Sequence, residues 1–123
     1  MAAIVLWLDH NHAKLYKLGA GSVSPEKMHR HEIRHHDSSD PANQKNSEKF
    51  FHEVAQALKD AQEILLMGPG LAKKHFTAHL KRHHHNDLAK KVVATLTVDH
   101  PTDAEIVALA RENFRTLDLF HSG

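Results

Sequence analysis

Histidine is the residue type with the most obvious chemistry in this sequence. The chain has 14 histidines in 123 residues and no cysteine, and imidazole without thiolate suits borderline metal ions such as zinc or nickel. His75, His79 and His83 recur at every fourth position, which places three imidazoles along one face of a helix. His29 and His31 alternate along one face of a strand. Both groups are candidate metal ligands; the alternative is that they are solvated imidazoles.

The histidines also make the charge of the protein sensitive to pH. The formal net charge is +1 with neutral histidines. Imidazole titrates near neutral pH, so acidification adds positive charge across the chain. The sequence therefore also fits an interaction module that responds to metal or pH.

A stretch around two glycines is a candidate anion site. The apolar residues 64–67 are followed by Gly68, Pro69 and Gly70, and a helix is predicted to begin directly after them. Glycine has no Cβ to keep another molecule away from the unpaired N–H groups of a helix start. Phosphate groups bind at such helix ends.

Basic residues continue from this turn along the predicted helix. Lys73 and Lys74 lie in its first turn, and Lys81 and Arg82 in its last. Such a strip is able to follow an RNA backbone without reading its sequence. The alternative is an ordinary strand-to-helix turn with solvated lysines, balanced by the 15 acidic residues of the chain.

Hydrophobic periodicity predicts the elements that position these residues. Strands are predicted at 3–9, 12–18, 27–36, 64–67 and 91–98. Helices are predicted at 47–61, at 71–83 and from 101 to about 117. The last helix starts with Thr102-Asp-Ala-Glu105, the spacing of a capping box. The third strand has little apolar character, so it is predicted to lie at a sheet edge.

The order of these elements, β-β-β-α-β-α-β-α, predicts an α/β fold. Three antiparallel strands and two β-α units form a mixed five-stranded sheet covered by helices, as in three-layer ribonuclease H-like folds. The chain suffices for a single domain, 1–123. Residues 37–46 are predicted to be a mobile loop and 118–123 a frayed tail. With no cysteine, signal peptide or membrane-spanning run, a cytoplasmic location is expected.

This fold directs attention to Asp9, at the end of the first strand. Ribonuclease H-like nucleases keep a metal-binding carboxylate there, and two-metal chemistry needs several convergent carboxylates. The further candidates are Asp99, Asp103 and Glu105, of which the last two already start a helix. Alternatively, Asp9 and Asp99 end strands and accept hydrogen bonds from nearby backbone N–H groups. No complete acidic cluster is visible, so the sequence favours a protein that is not an enzyme.

Four segments carry a resemblance to a known family. They are residues 5–10 (VLWLDH), 13–16 (AKLY), 64–73 (ILLMGPGLAK) and 97–103 (TVDHPTD). In these segments the chain resembles small bacterial proteins known as translational machinery proteins. Those proteins are similar to the middle domain of archaeal and eukaryotic peptide-chain release factors, a family that includes the Pelota-type ribosome rescue factors. The resemblance extends from Ile4 to about Leu117 and implies a context in translation.

In release factors, the loop between the third strand and the first helix carries a Gly-Gly-Gln tripeptide that enters the peptidyl-transferase centre. The corresponding residues here are 36–47. They include Gln44, but Ala42 and Asn43 precede it and the loop contains no glycine. The resemblance therefore implies Gln44 as a candidate for peptidyl-tRNA hydrolysis by its position alone.

Three functions follow as hypotheses. The first is a non-catalytic, translation-associated accessory protein that binds the ribosome, RNA or a ribosome-bound factor through the basic helix face. The second is a metal-dependent nuclease or peptidyl-tRNA-acting enzyme that uses Asp9 or Gln44. The third is a histidine-rich module that responds to metal or pH. The sequence favours the first and leaves the oligomeric state open.

Overall fold

The protein is built around one mixed sheet. The computed structural model describes residues 2–19, 28–34, 44–83 and 86–114. The strands are β1 (Ala2–Leu8), β2 (His12–Gly19), β3 (His29–Arg34), β4 (Ala61–Gly68) and β5 (Val92–Thr97). The helices are α1 (Gln44–Ala57), α2 (Ala72–Arg82), α3 (Asn86–Lys91) and α4 (Asp103–Asn113). The predicted α/β fold with a five-stranded sheet is confirmed.

The sheet joins an antiparallel half to a parallel half. Its strand order is β3-β2-β1-β4-β5. The pairs β1–β2 and β2–β3 are antiparallel, whereas β1–β4 and β4–β5 are parallel. Because β1 and β4 lie at the centre, both are apolar on both faces. β3 lies at an edge, as predicted, and only Ile33 among its residues is buried.

Each face of the sheet has its own hydrophobic core. Alternation along β1 sends Ile4, Leu6 and Leu8 to one face and Val5 and Trp7 to the other. The first core is covered by α1, α2 and α3, and the second by α4. Helices thus lie on both sides of the sheet, which is the predicted three-layer arrangement. None of the helices in the described ranges is long and apolar enough to cross a membrane.

The first helix differs from its predicted extent at both ends. α1 begins at Gln44, so Gln44 belongs to a helix and not to the loop predicted at 37–46. α1 ends at Ala57, and Ala61 instead begins β4 by pairing with Ala2. Burial of Ala61 in the sheet outweighs the high helix propensity of alanine. Residues 37–43 of the predicted loop and the predicted tail at 118–123 lie outside the described residues.

The predicted element order lacks α3. The sequence predicts no element between the helix at 71–83 and the strand from 91, but residues 86–91 form a short helix. Leu88 is buried against the first core. Asp87 lies in the first turn and Lys90 and Lys91 in the last, an arrangement that the helix dipole favours. This extra helix leaves the sheet topology unchanged.

Candidate nucleic-acid interface

The turn between β4 and α2 requires its glycines for reasons of packing and backbone geometry. Gly68 ends β4 with φ at 145°. A Cβ on Gly68 would overlap the carbonyl group of Leu8, because β1 passes directly beside it. Gly70 has φ at 62° and open space around it, so its backbone conformation alone favours glycine. The close approach of β1 to β4 therefore shapes the turn.

Lys73 closes this turn from the inside. The residue is only 5% exposed, and its Nζ donates to the carbonyl oxygens of Gly68 at 2.5 Å and of Gly70 at 3.0 Å. A buried ammonium group is costly unless it is hydrogen-bonded, and the two carbonyls supply acceptors. The sequence predicts Lys73 as an anion-binding residue, whereas the structure uses its ammonium group to hold the turn together.

The exposed cations of α2 lie on one side of the helix. Lys74, Lys81 and Arg82 are exposed. Lys81 follows Lys74 by seven residues, about two turns, and lies on the same face, with Arg82 adjacent to it. These three residues form the α2 cationic face. None of the eleven residues of α2 is acidic. Glu48 of α1 approaches the Arg82 guanidinium only to 3.9 Å, so this ion pair is weak.

The histidines at positions 75, 79 and 83 do not form one stack. His79 is 1% exposed, and its ring packs 5.6 Å from the ring of Phe51 and 4.4 Å from that of His83. Position 79 faces the first core, which explains its burial. His75 is exposed instead, and its Nδ1 lies 3.1 Å from Nε2 of His10. The set predicted to share one face is therefore divided between the core and the surface.

The described residues do not include a metal centre with three ligands. In this part of the chain, no group of three or more His, Asp or Glu side chains is placed to hold a metal ion. His29 and His31 are exposed on β3, where they line a groove of about 580 Å³ together with Leu15 and Ala57. The zinc or nickel site on these histidines stays a prediction.

The carboxylate of Asp9 has a structural use. Its Oδ1 accepts hydrogen bonds from the backbone N–H groups of Asn11 at 2.8 Å and His12 at 2.6 Å. These bonds close the hairpin between β1 and β2. The sequence offers two interpretations of Asp9, a metal-binding carboxylate and a residue that ends a strand and accepts bonds from nearby N–H groups. The observed geometry is that of the second.

Two contacts near α2 and β5 join residues far apart in the chain. The contact between His10 and His75 brings the hairpin tip to the first turn of α2. A hydrogen bond of 2.7 Å from Trp7 Nε1 to the carbonyl of Asp99 ties β1 to the segment after β5. No pattern in the sequence signals either contact, because each depends on the order of the strands in the sheet.

Electrostatics on the opposite side of the sheet differ from those of α2. Arg30 on β3 and Asp103 at the start of α4 form an ion pair at 2.6 Å. Burial raises the pKa of the neighbouring Tyr16 above its usual value, and the Asp103 carboxylate adds to the rise. The guanidinium of Arg30 on this side meets a carboxylate, whereas α2 itself carries no carboxylate.

Comparisons with known proteins identify the fold. No family model matches the chain, and neither does any curated protein sequence. The crystal structure of Pelota from Archaeoglobus fulgidus is 20% identical, with a TM-score of 0.64 over 90% of this chain and 31% of that one. Pelota from Thermoplasma acidophilum is 13% identical, with a TM-score of 0.62 over 96% and 35%. The archaeal translation termination factor aRF1 is 14% identical, with a TM-score of 0.62 over 98% and 37%.

The TM-scores establish a shared fold, and at these identities the likeness shows the fold alone. The chain spans about a third of the length of the structures it matches. The predicted likeness to the Pelota and release-factor proteins is confirmed at the level of fold, and the single small α/β domain is consistent with the middle domain of Pelota.

Proposed function

We propose that this protein is a translation-associated accessory factor that binds ribosomal RNA through the α2 cationic face and catalyses no reaction. The observation that carries the proposal is the exposure of Lys74, Lys81 and Arg82 on a helix without acidic residues. The shared fold supplies the context, because the similar structures include a translation termination factor. Such a factor acts in the cytoplasm, where ribosomes are.

The spacing of the three cations suits contacts to a phosphate backbone. Lys74 and Lys81 are separated by about 10 Å along the helix axis, and their long side chains are able to reach successive phosphates. Each contact releases condensed counterions from the RNA, which drives binding at low salt and weakens it at high salt. Phosphate contacts position a protein on RNA without reading its sequence.

The described aromatic residues do not favour base stacking as the mode of RNA binding. The described phenylalanines, Phe50, Phe51, Phe76 and Phe114, are buried, and so is Trp7. Stacking on single-stranded bases needs exposed aromatic rings. The α2 cationic face therefore fits the backbone of folded RNA, such as that on a ribosome surface.

Two observations favour a non-catalytic role. One carboxylate oxygen of Asp9 accepts two backbone hydrogen bonds within its own hairpin. Gln44 is the first residue of α1, and no glycine precedes it as in the release-factor tripeptide. Asp9 thus has a structural use within the hairpin, and Gln44 lacks the flanking glycines of the release-factor tripeptide.

The test compares two variants with the same change in charge. Lys74→Gln/Lys81→Gln removes two cations from the α2 cationic face. Lys59→Gln/Arg111→Gln removes two from the turn after α1 and from α4. Affinity for a labelled ribosomal RNA fragment is measured by fluorescence anisotropy at several salt concentrations.

The first variant is expected to bind more weakly. The negative slope of log affinity against log salt should become less steep by about 2, because two phosphate contacts are lost. The second variant should retain the affinity and slope of the wild type. Equal losses in both variants would mean that binding follows net charge alone. No loss in the first variant would remove α2 as the binding surface.

A further inference from the structure

The two edges of the sheet have opposite chemical character. β3, at one edge, reads HRHEIR and places charged or titratable side chains at five of its six positions. β5, at the other edge, reads VVATLT and has no charged residue. Charges on an edge strand discourage pairing with other chains, and an uncharged edge rich in β-branched residues invites it. Only the β5 edge lacks this protection.

The outer side of β5 offers backbone groups for pairing. Its regular ladder with β4 runs from Ala94 to Thr97, and the N–H of Val98 donates inward to the carbonyl of Gly68 at 3.3 Å. Backbone direction alternates along a strand, so the N–H and C=O groups of Thr95 and Thr97 point outward. Their side chains are exposed. In the described part of the chain, no strand pairs with this edge.

We propose that β5 pairs antiparallel with β5 of a second copy of this chain, around a two-fold axis at Thr95. The outward groups of Thr95 then bond those of Thr95 of the second copy. Thr97 of each copy lies near Val93 of the other, where the ladder between β5 and β4 is irregular. Val93 is 42% exposed and becomes covered. The five-stranded sheets of two copies join into one ten-stranded sheet, and the same surface is used on both sides.

Charge at the ends of β5 favours a second copy over an unrelated strand. Lys90 and Lys91 lie directly before β5, and Asp99, whose side chain is 83% exposed, lies just after it. Antiparallel pairing brings the basic start of one strand beside the acidic end of the other, at both ends of the interface. No like charges meet at the axis, because β5 itself is uncharged.

The first test measures mass against concentration. Sedimentation velocity on the full chain, from about 1 to 500 μM, should show the 13.9 kDa monomer converting to a species of twice that mass. Thr95→Lys places two ammonium groups at the axis and should raise the dissociation constant about tenfold or more. Gln56→Lys adds the same charge at an exposed position of α1 and should leave dimerisation unchanged.

The second test identifies the pairing geometry. Lys91→Glu and Asp99→Lys should each weaken the dimer, because each places like charges together at both ends of β5. The double variant Lys91→Glu/Asp99→Lys should recover most of the affinity. A chain that stays monomeric throughout the concentration range would overturn the proposal. So would a dimer that withstands Thr95→Lys, since it would use another surface.

Discussion

The helices α2 and α4 have the same length, follow neighbouring parallel strands and cover opposite faces of the sheet, yet they begin in opposite ways. At the start of α4, the Glu105 N–H donates to the Thr102 hydroxyl at 3.2 Å, and the Thr102 N–H donates to the Glu105 carboxylate at 3.1 Å. Asp103 adds a second acidic residue to the first turn. At the start of α2, Leu71 provides no side-chain cap, and the first turn contains Lys73 but no acidic residue.

This difference shows what holds each helix start in place. Caps and acidic residues stabilise the first turn of α4, as helix energetics favour. The first turn of α2 lacks both and depends on the glycine turn, on the ammonium group of Lys73 and on burial of Phe76 and Leu80. Of the three exposed cations of α2, only Lys74 lies in this uncapped first turn, whereas Lys81 and Arg82 lie in the last turn.

The largest expected effect concerns the glycine turn that replaces a cap before α2. Gly68→Ala should lower the free energy of unfolding by about 3 kcal/mol or more, because the new Cβ meets the Leu8 carbonyl and φ is positive. Gly70→Ala is the matched control, with positive φ and open space, and should cost about 1 kcal/mol. Urea denaturation measures both. Equal costs would mean that β1 does not constrain the turn.

The next effect concerns the buried ammonium group. Lys73→Met keeps an apolar chain of similar length but removes the ammonium donor from the carbonyls of Gly68 and Gly70. The Gly68 carbonyl keeps its bond from the Val98 N–H, so the loss should be about 2 kcal/mol of stability. Lys74→Met changes an exposed neighbour and should stay within about 0.5 kcal/mol. Thermal and urea denaturation of both variants check this. If the two lysines proved interchangeable, Lys73 would not be a structural residue.

The cap of α4 should be worth less than either feature of the turn before α2. Thr102→Ala removes the hydroxyl acceptor and should cost about 1 kcal/mol of stability. Leu71 is at the corresponding position of α2, where its exposed side chain makes no capping hydrogen bond. Leu71→Ala should therefore cost less than about 0.5 kcal/mol. Urea denaturation of both variants measures these costs. A larger loss of stability for Leu71→Ala than for Thr102→Ala would contradict the proposed difference between the two helix starts.

The smallest effect is the response of α4 to acid. The backbone N–H of Thr102 holds the pKa of Glu105 below its ordinary value of 4.5. A depressed folded-state pKa means that this group contributes stability above its unfolded-state pKa and loses it as pH falls through the folded value. Glu105→Gln should therefore flatten the acid side of the pH–stability profile. An NMR titration that found the pKa of Glu105 at or above 4.5 would contradict this.

Much of the fold is readable from the sequence because its signals are local. The capping box at Thr102 follows from residue types three positions apart, and the apolar runs of β1 and β4 indicate strands buried on both faces. The six-residue α3 is too short for periodicity to define. Its formation depends on Leu88 reaching a core that other elements build.

The site was less predictable because burial of polar side chains depends on tertiary contacts. The sequence indicates that Lys73 and Lys74 are both basic residues in a first turn, but their roles differ by which one faces the turn carbonyls. His79 belongs to the core for a similar reason, since it lies next to Leu80 on the inward side of α2. Spacing alone groups both residues with exposed neighbours.

The central claim is tested most directly by co-sedimentation with purified ribosomes at low and high salt. The wild-type protein should pellet with ribosomes at low salt and leave them at high salt, because counterion release drives the contact. Lys74→Gln/Lys81→Gln should remain in the supernatant at both salts, while Lys59→Gln/Arg111→Gln should behave as wild type. Wild-type protein that never pellets, or an α2 variant that pellets equally well, would contradict the proposal.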